Sequence, residues 1–318
     1  MKSFLETVLA STLGVAAMLA APAAAAADKE IAVIVKTANS DFWQNVKKGA
    51  AAGVSELKGY TSSFQGGASD TDLAGQVALV ENAVNRKVAA IVLAPSDPDA
   101  LVPAIKKAWE AKIPVIVIDS AAGEAGKNYY QSFLSTDNKN AGELCAKALI
   151  DKIGTTGKIA IMSYTAGSGS EVERVGGFKQ YIEKNSKLQI VGTYYSNSQM
   201  GTALNQTTDV LAANADLKGL FGANEPTAIG MGRALVQSGK AGKVVAIGFD
   251  GNADLQGFVK DGTIEAIAVQ SAYQMGHLGV KTAVEIIEGK KVPKFRDTGV
   301  LMVTKKNIDS AEAKNVLY

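Results

Sequence analysis

Residues 113–120 read Ile-Pro-Val-Ile-Val-Ile-Asp-Ser, and residues 244–251 read Val-Val-Ala-Ile-Gly-Phe-Asp-Gly. Each is an apolar, mostly β-branched run that stops on an aspartate. A strand with one wet face alternates apolar and polar residues, so a run without alternation predicts a strand covered on both faces, as in a parallel sheet between helices. Runs of the same kind stand at 31–35, 88–93, 158–162, 190–194, 219–222 and 266–269. Between them, 71–86, 99–111, 140–153, 171–183, 202–214, 227–238 and 273–288 carry apolar residues at helical spacing. Repeated β-α units of this kind wind into parallel sheets through right-handed crossovers. About ten units exceed one ordinary open sheet. The expected fold class is therefore α/β, built as two similar doubly wound parallel-sheet lobes. The stretch Gln131–Asn138 and the stretch around Gln270 join strand to helix through polar residues and are the expected crossings between lobes.

The start of the chain does not fit this pattern. Lys2 precedes a mostly apolar stretch from Val8 to Ala21, then Pro22 and an alanine run to Ala27. A basic start, an apolar centre and a small-residue A-x-A end make a secretory signal peptide. A membrane span needs about 20 apolar residues, more than this stretch supplies. Residues 1–27 are thus expected to be cleaved, leaving an exported, soluble protein in the periplasm.

Composition narrows the chemistry. The 318 residues hold 33 Lys+Arg against 31 Asp+Glu, with 47% hydrophobic side chains, a balance that fits a globular protein rather than a nucleic-acid binder. Cys145 and His277 are the sole cysteine and histidine. A Cys/His zinc site and an internal disulfide are excluded, and a Cys–His catalytic pair would require those two residues to meet. No dinucleotide, P-loop or hydrolase-elbow motif is present. No cofactor, metal or catalytic residue is expected.

In open α/β sheets, ligands bind beyond the carboxyl ends of the strands. Those ends carry Asn39-Ser40-Asp41-Phe42-Trp43, Pro95-Ser96-Asp97, Asp119-Ser120, Asp137-Asn138, the stretch Ser168–Arg174, Asn224-Glu225, Asp250 and Gln270. Aromatic faces cover the C–H surface of a sugar, while Asp, Asn, Gln and Arg pair with its hydroxyls. The set suits a neutral polyhydroxyl ligand. Each member also has a plainer reading: Ser40, Asp41 and Asp72 as helix caps, Asp119 and Asp250 as turn residues, Arg174 as a surface cation, and at least one of Phe42 and Trp43 as ordinary packing.

Seven fragments in order carry a resemblance over residues 28–318: Asn39–Trp43, Ile113–Asp119, Thr136-Asp137-Asn138, Glu173–Phe178, Asn224-Glu225, Val245–Gly251 and Ala268-Val269-Gln270. The chain resembles the periplasmic solute-binding proteins of the ribose-binding type that serve ABC sugar importers. The resemblance implies a type I two-lobed fold joined by a multi-strand hinge, with crossings near Thr136, Gln270 and Gly299. It assigns 28–136 plus 271–298 to the N-terminal lobe and 137–270 plus 299–318 to the C-terminal lobe. Ser40, Phe42, Trp43, Asp119, Arg174, Asn224, Asp250 and Gln270 would fall on sugar-contacting positions, and Ser120, Asp137 and Asn138 are expected to bind the ligand with them. Ribose binders place Arg where Ser120 stands, Asn where Ala94 stands, and an aromatic near Ser198. The departures point to another pentose, a hexose or an acyclic polyol.

The expected partners are a small neutral sugar or polyol and an ABC permease of the inner membrane, with a chemoreceptor or sensor kinase as a further partner, no nucleic acid, and a monomeric state. Three rival readings share some of the features. A sugar-responsive regulator of the lactose-repressor type has the same fold but needs a helix-turn-helix where the signal-like segment stands. An exported sugar-processing enzyme would use Asp119 and Asp250 as acid and base. A receptor for sugar or autoinducer-2 in chemotaxis or sensor signalling would bind in the same way.

Overall fold

The computed structural model describes residues 28–318. The expected signal segment lies outside the described residues. The chain forms β1 (Lys29–Thr37), α1 (Asp41–Ser55), β2 (Tyr60–Gly67), α2 (Leu73–Asn85), β3 (Ala90–Leu93), α3 (Val102–Glu110), β4 (Val115–Ile118) and β5 (Ser132–Ser135). It continues through α4 (Asn138–Ile153), β6 (Thr156–Ser163), α5 (Gly169–Asn185), β7 (Lys187–Tyr195), α6 (Met200–Ala213), β8 (Leu217–Gly222), α7 (Glu225–Gln237), β9 (Val245–Phe249), α8 (Ala253–Asp261) and β10 (Ala266–Gln270). Last come α9 (Ala272–Ile287), β11 (Phe295–Asp297), β12 (Val300–Thr304) and α10 (Ala311–Lys314).

Two six-stranded sheets result, in the orders β11-β5-β4-β3-β1-β2 and β12-β10-β9-β8-β6-β7. The sheets repeat one winding pattern, so equivalent strand ends in the two lobes face a common cleft. Every pairing is parallel except β10 with β12, which is antiparallel. The unalternating runs are buried on both faces: the side chains of β3 and β4 are all enclosed, with Ile91, Leu93, Ile116 and Ile118 fully inaccessible.

The chain changes sheet after Ser135, after Gln270 and after Asp297. The first change is narrower than the expected crossing Gln131–Asn138, because Ser132–Leu134 pairs in register with β4, Ser135 pairs with β11, and only Thr136-Asp137 lies between β5 and α4. β2 has no apolar run: its Tyr-Thr-Ser-Ser-Phe-Gln-Gly-Gly sequence suits an edge strand that is half-exposed along its length. β11 and β12 are short outer strands with mixed burial, which also hides them from a search for apolar runs.

Helix contacts behind each sheet set where the cleft-facing loops lie. α1 packs on α9 so closely that a Cβ at Gly49 would stand 1.9 Å from the Tyr273 carbonyl oxygen, and one at Gly276 2.0 Å from that of Val46. In the second lobe, α4 and α5 meet in the same manner, with a Cβ at Gly142 placed 1.9 Å from the Arg174 carbonyl oxygen. The backbone carrying Arg174 is thereby pressed against α4. Among the described residues, no helix is long and apolar enough to cross a membrane.

Candidate functional site between the lobes

A cavity of about 440 Å³ opens between the carboxyl ends of the two sheets. From the first lobe it is lined by Lys36, Asn39, Ser40, Phe42, Trp43, Asp70 and Asp119, and from the second by Tyr164, Arg174, Asn224, Asp250 and Gln270. Ligand-sized cavities begin at about 300 Å³, so the space suits a monosaccharide-sized occupant.

Asp119 and Asp250 are equivalent positions of the two sheets, each one residue beyond its strand. Both take left-handed backbone, with φ of 63° and 77°. Their amides donate to the neighbouring strand, Asp119 to Leu134 and Asp250 to Ala268. Left-handed backbone costs a non-glycine residue energy, although aspartate tolerates it better than most, and such strain collects at functional sites. The turn aims both carboxylates into the cleft.

The carboxylates are held from behind. Lys36 Nζ lies 3.0 Å from Asp119 Oδ2 and donates to Ser120 Oγ at 2.6 Å. Asp250 accepts from Gln270 Nε2 and from the Glu225 amide, both at 2.9 Å. Burial pushes the Asp250 pKa up to about 6, against the pull of Arg174 and of those hydrogen bonds. Glu225 is pushed to about 8, first by burial and next by the neighbouring Asp250.

Arg174 is buried, with 2% of its surface exposed, which removes the surface-cation reading. Its Nη1 donates to the Ala223 carbonyl at 2.7 Å, and Nη2 to Asn138 Oδ1 at 2.7 Å and Gln270 Oε1 at 3.2 Å. Nε adds a bond to the same Asn138 oxygen at 3.1 Å, and the guanidinium lies 3.6 Å above the Phe249 ring centre. A guanidinium has five N–H donors. These contacts use all but one, on Nη1, and fix the plane of the fork.

Phe42 and Trp43 both line the cavity, although consecutive helix residues point about 100° apart. They sit at the start of α1 and meet edge to face, with centroids 4.8 Å apart and planes at 85°. The perpendicular rings give the first lobe an apolar wall. Met200, Pro226 and Ile229 form an apolar edge on the second.

Of the residues read from the sequence, Ser40, Phe42, Trp43, Asp119, Arg174, Asn224, Asp250 and Gln270 line the cavity. Ser40 and Asn224 also cap α1 and α7, so capping and lining are one position rather than alternatives. Ser120, Asp137 and Asn138 are not among the lining residues. Ser120 is enclosed between Lys36, Asp119 and Ser170, Asp137 caps α4, and Asn138 holds Arg174. Asp72 is a cap alone.

Lys36, Asp70 and Tyr164 escaped the sequence reading. Lys36 is the next-to-last residue of β1, inside the strand rather than after it. Its ammonium lies beside Asp119, close to where ribose-type sequences carry the Arg that Ser120 replaces here. Asp70 follows the edge strand β2, whose sequence does not announce a strand.

The other two residues singled out by composition stand apart. Cys145 is enclosed in the second lobe's core, and burial pushes its thiol up to about 12. His277, on α9 of the first lobe, lies 2.8 Å from Glu56. They form no pair. Among the described residues, no group of three acidic, His or Cys side chains could hold a metal ion.

Comparison with known proteins agrees with this geometry. The family model described as "Periplasmic binding protein domain" matches residues 31–291. The chain is 30% identical to the D-allose-binding periplasmic protein of Escherichia coli, over 90% of this chain and 95% of that one. An ABC transporter solute-binding protein of Agrobacterium vitis, solved with bound D-fucose, is 70% identical, covers 91% of this chain and 100% of its own, and superposes with a TM-score of 0.90. A carbohydrate transporter solute-binding protein of Agrobacterium radiobacter, in complex with D-arabinose, is 34% identical, with a TM-score of 0.88 and coverage of 92% and 100%. Two similar parallel-sheet lobes, a polar cavity between their strand ends, and matches along almost the whole chain establish that this protein belongs to the periplasmic binding protein family.

Proposed function

We infer that this chain is the sugar-binding, non-enzymatic component of an ABC importer, and we propose that its cavity takes one neutral monosaccharide in ring form, with a 6-deoxyhexose of the D-fucose kind as the first candidate. The observation that carries the reading is the composition of the cavity. Two lobes contribute an aromatic wall, two cations and two strained, anchored aspartates. Aspartates held as acceptors pair with sugar hydroxyls, and Arg174 and Lys36 donate to hydroxyl or ring oxygens. Phe42 and Trp43 cover the C–H faces, Ser40 offers its hydroxyl, and Asn224 and Gln270 complete the set with their amides. The Met200, Pro226 and Ile229 edge suits the methyl group that replaces a hydroxymethyl in a 6-deoxy sugar. D-Fucose is the ligand of the A. vitis protein, D-arabinose that of the A. radiobacter protein.

In this reading residues 1–27 direct export to the periplasm, the loaded monomer docks on an inner-membrane permease, and a chemoreceptor or sensor kinase reads the same closed form. An acid–base pair suits the site poorly, because Asp119 is engaged by Lys36, and Asp250 by Gln270 and the Glu225 amide. A thermal-shift panel of D-fucose, D-galactose, D-arabinose, D-allose, D-ribose and autoinducer-2 tests the assignment. A sugar present at 100 times its dissociation constant stabilises by about 2.7 kcal/mol. The largest shift is expected with D-fucose; a panel without any shift overturns the substrate class.

A further inference from the structure

The two sheets place their edge strands β2 and β7 at equivalent positions, and the loops that follow them line the same cavity with Ala68-Ser69-Asp70 and Ser198-Gln199-Met200. The loop after β7 is strained: Asn197 and Ser198 both take left-handed backbone, with φ of 52° and 58°. That turn presents Ser198, whose hydroxyl accepts from Asn224 Nδ2 at 3.0 Å. Across from it stands Asp70, a carboxylate near Lys36, Ser198 and Trp43 that is only partly satisfied by them. Its Oδ1 is enclosed, yet no donor reaches it. An enclosed acceptor left unpaired costs free energy, more when it is ionised, and native structures rarely keep one without a purpose. Every other cavity aspartate at a strand end is anchored: Asp119 by Lys36, Asp250 by Gln270 and the Glu225 amide.

We propose that Asp70 is a specificity residue that accepts a hydrogen bond from one particular hydroxyl of the bound sugar, so that the edge-strand loops read a ring position that the central aspartates do not. The proposal rests on the sugar-binding reading above and refines it. The groups around the carboxylate agree with the role. Burial raises the Asp70 pKa, and Asp119 adds to that, whereas Lys36, Ser198 and Trp43 favour the ionised form. A sugar hydroxyl supplies the missing donor without adding charge. A sugar that lacks this hydroxyl leaves Oδ1 unpaired again and is rejected, which is how a hydrogen-bonding site discriminates more strongly than an apolar pocket.

The test is calorimetric titration of wild type, Asp70→Ala and Asp70→Asn with D-fucose and its monodeoxy derivatives. In wild type, one derivative should bind worse than D-fucose by about tenfold to a hundredfold because it leaves Asp70 Oδ1 without a donor. In Asp70→Ala the penalty at that same position should vanish while the penalties at other positions persist. Asp70→Asn, which keeps the shape of the side chain, guards against loss of the loop and should give the same pattern in weaker form. Loss of D-fucose affinity with unchanged penalties at every position overturns the proposal, since Asp70 would then only shape the loop. Unchanged affinity in both variants overturns it as well. Failure of the underlying reading looks different, because wild type would then bind neither D-fucose nor its derivatives.

Discussion

Arg174 shows how one side chain joins fold to ligand. It lies in the second turn of α5, is buried, and bonds to Asn138, the Ala223 carbonyl and Gln270. Removing it leaves those partners unpaired in the interior. Arg174→Ala should therefore lose sugar affinity and also destabilise the unliganded protein by about 3–5 kcal/mol, as when one partner of a buried charged network is deleted. A melting temperature unchanged without sugar would contradict this. The sequence made Arg174 visible by its position but not by its burial, because nothing in the order of residues tells that Asn138, in another helix, stands opposite. Asp119 and Asp250 were legible since each closes an apolar run; their left-handed backbone was not, being fixed by hydrogen bonds to the neighbouring strands. Lys36 was hidden by the same logic that found the others, because it lies within a strand.

Helix contacts carry the site at the next scale. Because a Cβ at Gly142 would meet the Arg174 carbonyl oxygen, Gly142→Ala should push α5 away from α4 and carry the guanidinium with it. Sugar affinity should fall although residue 142 does not line the cavity; an affinity equal to wild type would show that α5 is free to shift without moving its fork. Glu225, at the start of α7, links three elements: its Oε1 accepts from the Phe42 amide at 3.3 Å and its Oε2 from the Tyr318 hydroxyl at 2.9 Å. Its pKa is raised from 4.5 to about 8. Below pH 4.5 the folded and unfolded states both hold the proton. As pH rises toward about 8 the unfolded chain releases it while the folded protein keeps it, so this group lowers stability across that window. Asp250 acts in the same sense at lower pH. The unliganded protein should melt at lower temperature at pH 8 than at pH 5, by an amount equivalent to about 2–5 kcal/mol. Glu225→Gln, which keeps the shape and removes the titration, should flatten most of that slope; an equal slope in the variant would contradict the assignment. Helical spacing marked α2 to α7 and α9 but not α1 or α8, and the close pairs α1–α9 and α4–α5 were not legible, since a glycine inside a helical pattern does not say which backbone it meets.

At the scale of the molecule, the two sheets share one winding order, and the exchange of β11 and β12 at the outer edges completes each lobe. The doubly wound class followed from unalternating apolar runs, whereas the edge strands β2, β11 and β12 did not, because strands outside the core need no such run. The lobes meet through short contacts beside the cavity: Ser120 Oγ lies 3.1 Å from Ser170 Oγ, and Asn252 Nδ2 donates to Asp41 Oδ2 at 3.2 Å. We propose that these contacts belong to a closed form, with bending at Thr136, Gln270 and Gly299. A ligand shifts such an equilibrium only by its differential affinity for the two forms, and a sugar held from both lobes binds the closed form better. Small-angle X-ray scattering of the protein, alone and saturated with the sugar that gives the largest thermal shift, measures that step. The radius of gyration should fall on binding; a calorimetrically saturated complex with an unchanged radius of gyration would contradict capture by closure of the two lobes.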